Sequence, residues 1–294
     1  MQDFFELLVS AVSTGCIYGL VALAYLLIAR PTGIINFAVG EWAALGGFAG
    51  YLALSKFELP YAVGMAAVVI FMFFAGWATE RTVVRPLIER HAPPLAPVLV
   101  LLGMLVVFRE SLSLGFGPDP YSVPAGLGFG RFEFGLFAGA YQSLFIIATA
   151  LTIFAAAWLF FERSLTGKSF AAVAIDRRVA ALMGINLGRV TSMSFAGGAV
   201  VAGMAGLLSA PTTSVHYMMG LPLAIQGFTA LVIGGANRVA GALFGGLLLA
   251  LVEQLTIRYL PIAAGLSMGV PLIVLIVFLL VKPEGLLGLR KERA

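Results

Sequence analysis

Apolar residues gather in nine runs along this chain, at about 7–29, 34–54, 61–84, 95–113, 141–161, 189–210, 220–236, 239–260 and 264–281. An α-helix rises about 1.5 Å per residue, so about 20 apolar residues cross a hydrocarbon core ~30 Å thick. The run at 220–236 is short for a crossing and reads as a half-helix. Two longer polar connections separate the runs. One, 114–140, contains GFGPDPYSVPAGLGFGRFEFG and reads as an irregular loop. The other, 162–188, is patterned. Together the runs predict an all-α polytopic membrane protein of about eight spans plus a short or broken leg, forming one transmembrane domain over residues 1–294.

Composition supports a lipid solvent. Hydrophobic residues make up 61% of the chain and charged residues 11%, where soluble domains carry about 25% charge. Mean hydropathy is +1.02. The opening MQDFFELLVS is acidic and has no small-residue cleavage pattern, so the first run reads as a retained span. Cys16 is the only cysteine, which excludes an internal disulfide or a thiolate metal cluster. The basic pI does not point to nucleic acid, because the cations sit between spans. With 162–188 in the cytoplasm, fourteen of the eighteen Lys and Arg fall on the inner side. That bias places the N-terminus outside and the C-terminus inside.

In this topology the four legs after residue 188 run opposite to the first four. A small-residue helix ends at Arg30-Pro31-Thr32 in the first half and at Ala210-Pro211-Thr212 in the second. A glycine-containing segment with embedded polar groups follows each. Paired interruptions in opposed halves point to an inverted repeat, here about 7–113 and 189–281, joined by the linking span 141–161. Close packing is expected at Gly15, Gly19, Gly46, Gly47, Gly197, Gly198, Gly245 and Gly246.

In the first interruption, RPTGIINFAVGEW, Pro31 and Gly33 break the helix and Asn36 is suited to bond freed backbone groups. Glu41 is placed to sit near a helix N-terminus. Asn36, Phe37, Glu41, Gln226 and Asn237 are the candidate lining of a solute path, although a polar turn between spans, with Glu41 paired to a neighbouring helix, is the stronger account of the first three. Glu80/Arg81 and Arg109/Glu110 lie near span ends, where pairing or snorkelling explains them.

Between the halves, GKSFAAVAIDRRVAALMGIN spaces Phe170, Val173, Ala174, Val179, Leu182 and Met183 as one face of a short amphipathic helix, about 168–183. Gly184 stands where a helix would stop. Such a helix lies on the membrane surface or docks into a groove on a cytoplasmic partner. No P-loop, G-x-S-x-G or H-E-x-x-H occurs, and the two histidines, His91 and His216, have no carboxylate at ligand spacing. No catalytic residue, metal site or cofactor is expected in this chain.

GIINFAVGEW at 33–42, the 167–186 segment, FTALVIGGANRVAGALFGGLLLALVE at 228–253 and KPEGLLG at 282–288 occur in that order. With them the chain resembles the H-type transmembrane permease of the branched-chain amino-acid ABC importers over nearly its whole length. The resemblance implies a fold related to the ribose and vitamin B12 importer permeases, in a bacterial cytoplasmic membrane. It implies a second homologous permease, two cytoplasmic ATP-binding subunits and a periplasmic or extracellular substrate-binding protein as partners. It also makes 168–183 the coupling helix that contacts the ATPase, with Gly167, Lys168, Phe170, Asp176, Arg177, Arg178, Ala180 and Gly184 as the coupling residues. Ala171 and Ile175 stand where that family often has Arg and Glu, and Val39 where it often has His. An ion-coupled carrier using Glu41 or Glu253 is the alternative; a membrane-embedded enzyme lacks the residues it would need. The solute is left open among leucine, isoleucine and valine, urea, short amides and aromatic acids.

Overall fold

The computed structural model describes residues 2–90, 92–93, 95–128, 130–134, 137–236, 238–259, 269–282 and 285–286. Among the described residues, six helices are long and apolar enough to cross a membrane. They are α1 (Gln2–Thr32), α3 (Tyr61–Thr79, continued by a π-helical turn Glu80–Val84 and by α4, Arg85–Glu89), α5 (Leu95–Phe116), α6 (Tyr141–Arg163), α9 (Leu187–Thr213) and α11 (Val239–Tyr259). Three apolar legs are shorter: α2 (Val39–Tyr51, with a π-helical turn Leu52–Lys56), α10 (Gly220–Gly234) and α12 (Val270–Val281). The nine expected legs are therefore represented among the described residues, but the shortness expected only of 220–236 is shared by α2, and residues 264–268 of the last expected leg lie outside the described residues. Both α2 and α10 begin late because the chain is irregular before them, at 33–38 and at 214–219.

The expected irregular loop 114–140 is only partly irregular. Its second half is an antiparallel hairpin, β1 (Arg131–Phe134) with β2 (Phe137–Ala140), Arg131 facing Ala140. The alternation in Arg-Phe-Glu-Phe is the period-two signal that the glycines and prolines before it obscured.

Two helices make the centre. In α1 and α9, 67% and 83% of the apolar window is buried, against 17% in α5 and α6, so the latter two face outward. α1 packs on α9 and along α11, while α9 packs along α3; α2 lies on α9 and α10 lies on α1. Small residues set these approaches. A Cβ on Gly15 would lie 2.8 Å from the Leu247 backbone, and one on Gly46 would run into Gly203. Lipid tails are as apolar as leucine side chains, so close backbone contact supplies the association energy that water exclusion supplies elsewhere. Of the expected packing glycines, Gly197 departs: a Cβ there meets nothing within 4 Å. Its flank of α9 faces away from the crowded crossings.

Contacts among the connections sort the bundle into two ends. At one, Tyr121 and Val215 exchange backbone hydrogen bonds of 2.8 Å, Ser55 donates to Ser122 O at 3.0 Å and Arg131 pairs with Glu6. At the other, Arg177 reaches the end of α1, Arg85 reaches the start of α9, and the Leu286 amide donates to Ile233 O at 2.7 Å.

Candidate translocation junction and coupling segment

The first interruption is built from local hydrogen bonds. α1 carries Pro31 in its final turn and ends at Thr32, whose hydroxyl donates to Ile28 O at 2.5 Å and accepts the Ile34 amide at 3.1 Å. Gly33 then turns the chain at φ +70°, a left-handed conformation that glycine adopts without a Cβ penalty. Asn36 Oδ1 accepts the Ala38 amide at 2.9 Å, and α2 starts at Val39. In the second half, α9 carries Pro211, ends at Thr213, turns at Ser214 (φ +59°) and gives way to α10 at Gly220.

The N-termini of α2 and α10 meet. A side chain on Gly40 would collide with the Gly220 carbonyl and Ala224, and a Cβ on Gly220 would lie 2.6 Å from Oε2 of Glu41. Glu41 is fully buried, and neither carboxylate oxygen has a hydrogen-bond partner among the described residues. It stands in the first turn of its own helix and against the first residue of α10, where the positive ends of both helix dipoles favour negative charge. Phe37 and Tyr25 pack around Phe228 of α10, with ring centroids 6.2 and 6.0 Å away. Asn36 Nδ2, Trp42 Nε1, Tyr25 Oη and Thr229 Oγ1 are also buried without partners among the described residues.

The structure therefore divides the candidate path residues. Asn36, Phe37 and Glu41 share this junction. Gln226 sits instead beside Tyr18 and Glu253, where the Tyr18 hydroxyl donates to Glu253 Oε2 at 2.8 Å between α1 and α11. Asn237 lies outside the described residues, as does His91.

The amphipathic helix expected at 168–183 is two helices, α7 (Leu165–Ile175) and α8 (Arg177–Leu182). Asp176 makes the break. Its backbone is extended (φ −151°, ψ 113°), and its Oδ1 accepts the amides of Arg178 at 2.7 Å and Val179 at 3.0 Å. The Val179 and Arg178 amides hold its carboxyl below the usual carboxylate range. An aspartate inside a helical pattern here works as a cap for a new helix. The expected apolar face is split accordingly. Phe170, Val173 and Ala180 are buried, while Ala174, Val179, Leu182 and Met183 are exposed. Gly184 ends α8 at φ +83°, as its position suggested.

α7 is anchored from below. Ser164 Oγ caps it by accepting the Gly167 amide at 2.8 Å, and Gly167 lies so close to Phe160 and Phe161 that a Cβ would be 2.7 Å from Phe161 Cα. Phe170 stacks edge-on to Phe160 and Phe161, at 5.5 and 6.0 Å. Arg30 lies over the Phe161 ring at 5.4 Å. Lys168 and Arg178 are exposed, whereas Arg177 Nη1 donates to Thr32 O at 3.1 Å. The segment is thus joined to the last carbonyls of α1, one step from the interruption.

The pairing expected near this span end is present at Glu80, with a different cation from its neighbour in sequence. Glu80, almost wholly buried, pairs with Arg85 and not with Arg81: Nε and Nη2 lie 3.2 Å from its two oxygens, and Ser192 Oγ donates to Oε2 at 2.6 Å. A partner five residues on is invisible to i, i+4 reasoning; the π-helical turn Glu80–Val84 brings it round.

Long helices crossing in both directions, with two interrupted legs whose amide ends meet inside the bundle, define a multi-pass helical membrane permease fold. The same fold is seen in the solved structure "PsaBC from Streptococcus pneumoniae in complex with Fab", with a TM-score of 0.52 and 12% identity, covering 95% of this chain and 91% of that one. Over residues 7–279 the chain matches the family described as "Branched-chain amino acid transport system / permease component", and it belongs to that family. Relatives include the high-affinity branched-chain amino acid transport system permease protein LivH of Escherichia coli K12, 29% identical over 97% of this chain and 96% of that protein. BraD of Pseudomonas aeruginosa, which carries the same description, is 30% identical over 98% and 97%. The ribose import permease protein RbsC of E. coli is 24% identical over 75% and 68%.

Proposed function

We propose that this chain is a transmembrane subunit of an ATP-driven importer of branched-chain amino acids or a related small solute. Family membership over residues 7–279 supports transport, and the names of the relatives support this solute class. The observation that carries the mechanism is the tie from α8 to the end of α1 through Arg177 and Thr32. Ile175, Leu182 and Met183 on α7 and α8 are 88%, 87% and 79% exposed, an apolar surface suited to a groove on another protein. Gly167, Phe170 and Ala180 seat this segment on the bundle, and Asp176 and Gly184 shape it. Lys168, Arg177 and Arg178 supply its charge.

In this reading two cytoplasmic ATP-binding subunits grip α7 and α8, one on this chain and one on a second homologous permease. Nucleotide-driven closure moves α7 and α8, and Arg177 carries that movement to the α1–α2 interruption. The α2–α10 contact at Gly40, Glu41 and Gly220 then opens and closes the path, alternating access between the two sides. A binding protein delivers solute at the end formed by the 121–122 and 214–219 connections. The two halves act as inverted repeats, which the reciprocal packing of α1 on α11 and α9 on α3 supports. The N-terminus lies outside and the C-terminus in the cytoplasm of a bacterial inner membrane.

The test is purification of the tagged chain in mild detergent from its host, followed by uptake in proteoliposomes. Recovery of a P-loop ATPase and a second polytopic permease, with leucine, isoleucine or valine uptake that requires ATP, is the expected outcome. Solute movement by the chain alone, driven by an ion gradient, refutes it.

A further inference from the structure

A cleft of about 590 Å³ opens between α3 and the start of α9, at the end of the bundle that carries α7 and α8. We propose that it binds an anionic phospholipid. Arg81, Arg85 and Arg189 would hold the phosphate, and the acyl chains would lie along Phe73, Phe74 and Trp77. The volume falls within the ~300–1,000 Å³ common to small-molecule sites. It suits a headgroup and the first part of the chains, with the remainder running over the neighbouring outward-facing side chains.

The cations are not committed elsewhere. Arg81 and Arg189 are exposed, and their side chains have no hydrogen-bond or ion-pair partner among the described residues. Arg85 spends Nε and Nη2 on Glu80, Gly188 O at 3.1 Å and Ser192 Oγ at 2.7 Å. A guanidinium carries five N–H donors, and the two on Nη1 have no acceptor among the described residues. Glu80 balances Arg85, so the cleft keeps two uncompensated positive charges. Asn186 lines it as well, at the N-terminus of the 27-residue α9, where anions are favoured.

The apolar part is arranged to match. Phe73, Phe74 and Trp77 are 44%, 58% and 43% exposed, and Met193 lines the opposite wall. Phe73 to Arg81 is eight residues of continuous helix, about 12 Å along the axis. Aromatic wall and cationic rim are thus separated as acyl chain and phosphate are separated in a phospholipid. A free phosphate would use the rim alone, and a zwitterionic lipid would leave the excess charge unmatched. Snorkelling by Arg81 and Arg189 would place them at the headgroup level without a ligand, but it does not account for a cleft that sets an aromatic wall beneath a cationic rim.

The test uses the assembled transporter, purified in detergent and re-equilibrated with phosphatidylglycerol or with phosphatidylcholine of identical chains, and weighed intact by native mass spectrometry. The expected result is retained phosphatidylglycerol, at least fivefold above phosphatidylcholine, falling to the phosphatidylcholine level in Arg81→Gln/Arg189→Gln. Inorganic phosphate should not displace it. Displacement by millimolar phosphate would assign the rim to a free anion and overturn the lipid. Equal retention of both lipids, or no loss in the double variant, would also overturn it. A photo-crosslinker at Phe74 separates the remaining case: capture of lipid supports the proposal, and capture of the second permease sinks it. If the double variant does not assemble, Arg189→Gln alone, at an exposed position, decides the same question.

Discussion

Gly206 and Gly197 lie on the same helix, and replacing each by alanine adds the same methyl group with opposite expected results. A Cβ on Gly206 would collide with the Ala43 carbonyl oxygen and lie 2.5 Å from its carbon and 3.0 Å from Ala43 Cα; one on Gly197 meets nothing within 4 Å. Alanine is favoured over glycine inside a helix by about 1 kcal/mol, and that gain applies at both sites. At Gly206 the obstacle is backbone, which has no rotamer to yield, so α2 must move off α9. Overpacking of this kind costs about 1–3 kcal/mol. The two variants should therefore differ by about 1–3 kcal/mol, with Gly197→Ala the more stable. At roughly 2–4 °C per kcal/mol, the value for domains somewhat smaller than this chain, that is about 2–12 °C in melting temperature. Cys16 supplies the readout. It is the only cysteine and 1% exposed, so a thiol-reactive fluorophore in detergent reports unfolding directly. Coincident melting curves, or Gly206→Ala melting above Gly197→Ala, would refute the close contact between α2 and α9.

Further outcomes follow from the polar contacts. Glu80→Ala removes the anion beside Arg85 and should lower stability by about 1–3 kcal/mol, short of a fully buried pair because the Arg85 side chain is 22% exposed. A double-mutant cycle with Ser192→Ala should give a non-zero coupling, and strict additivity would contradict the shared network. Because the folded-state carboxyl of Asp176 titrates below the usual range, its support for α8 is complete above the unfolded value, about 3.9, and is lost as pH falls through the lower folded value. The protection factors of the Arg178 and Val179 amides, taken against an unstructured peptide at the same pH, should fall only on acidification through that window, and in Asp176→Ala both amides should be unprotected at every pH. Arg177→Gln should reduce solute moved per ATP hydrolysed while leaving the ATPase subunits bound; unchanged stoichiometry would remove Arg177 from the coupling route.

Much of the membrane architecture is legible in the sequence, because the bilayer imposes one length and one polarity on every crossing element. The nine apolar runs, the interruption at 33–38 and the stop at Gly184 were all readable, since Pro, Gly and apolar length act locally. The segment at 168–183 was misread as one helix because helical spacing of Phe170, Val173, Val179 and Leu182 says nothing about which of them finds a neighbour. Phe160 and Phe161 cover Phe170, and nothing among the described residues covers Leu182. Glu80 is paired, as its place near a span end suggests, but with Arg85, because a π-helical turn changes which residues face each other.

The sequence by itself determined that the chain lives in lipid, roughly where it crosses and breaks, and, through its motifs, the family it resembles. Those properties follow from the local chemistry of short segments. Only the tertiary structure decided that the two interrupted legs meet at Gly40, Glu41 and Gly220, that Gln226 belongs instead with Tyr18 and Glu253, and that Arg177 reaches Thr32 across 145 positions of sequence. Each of these depends on which helix lies against which. Backbone contacts between small residues set that arrangement, and a glycine that touches another helix reads the same in sequence as one, like Gly197, that touches none.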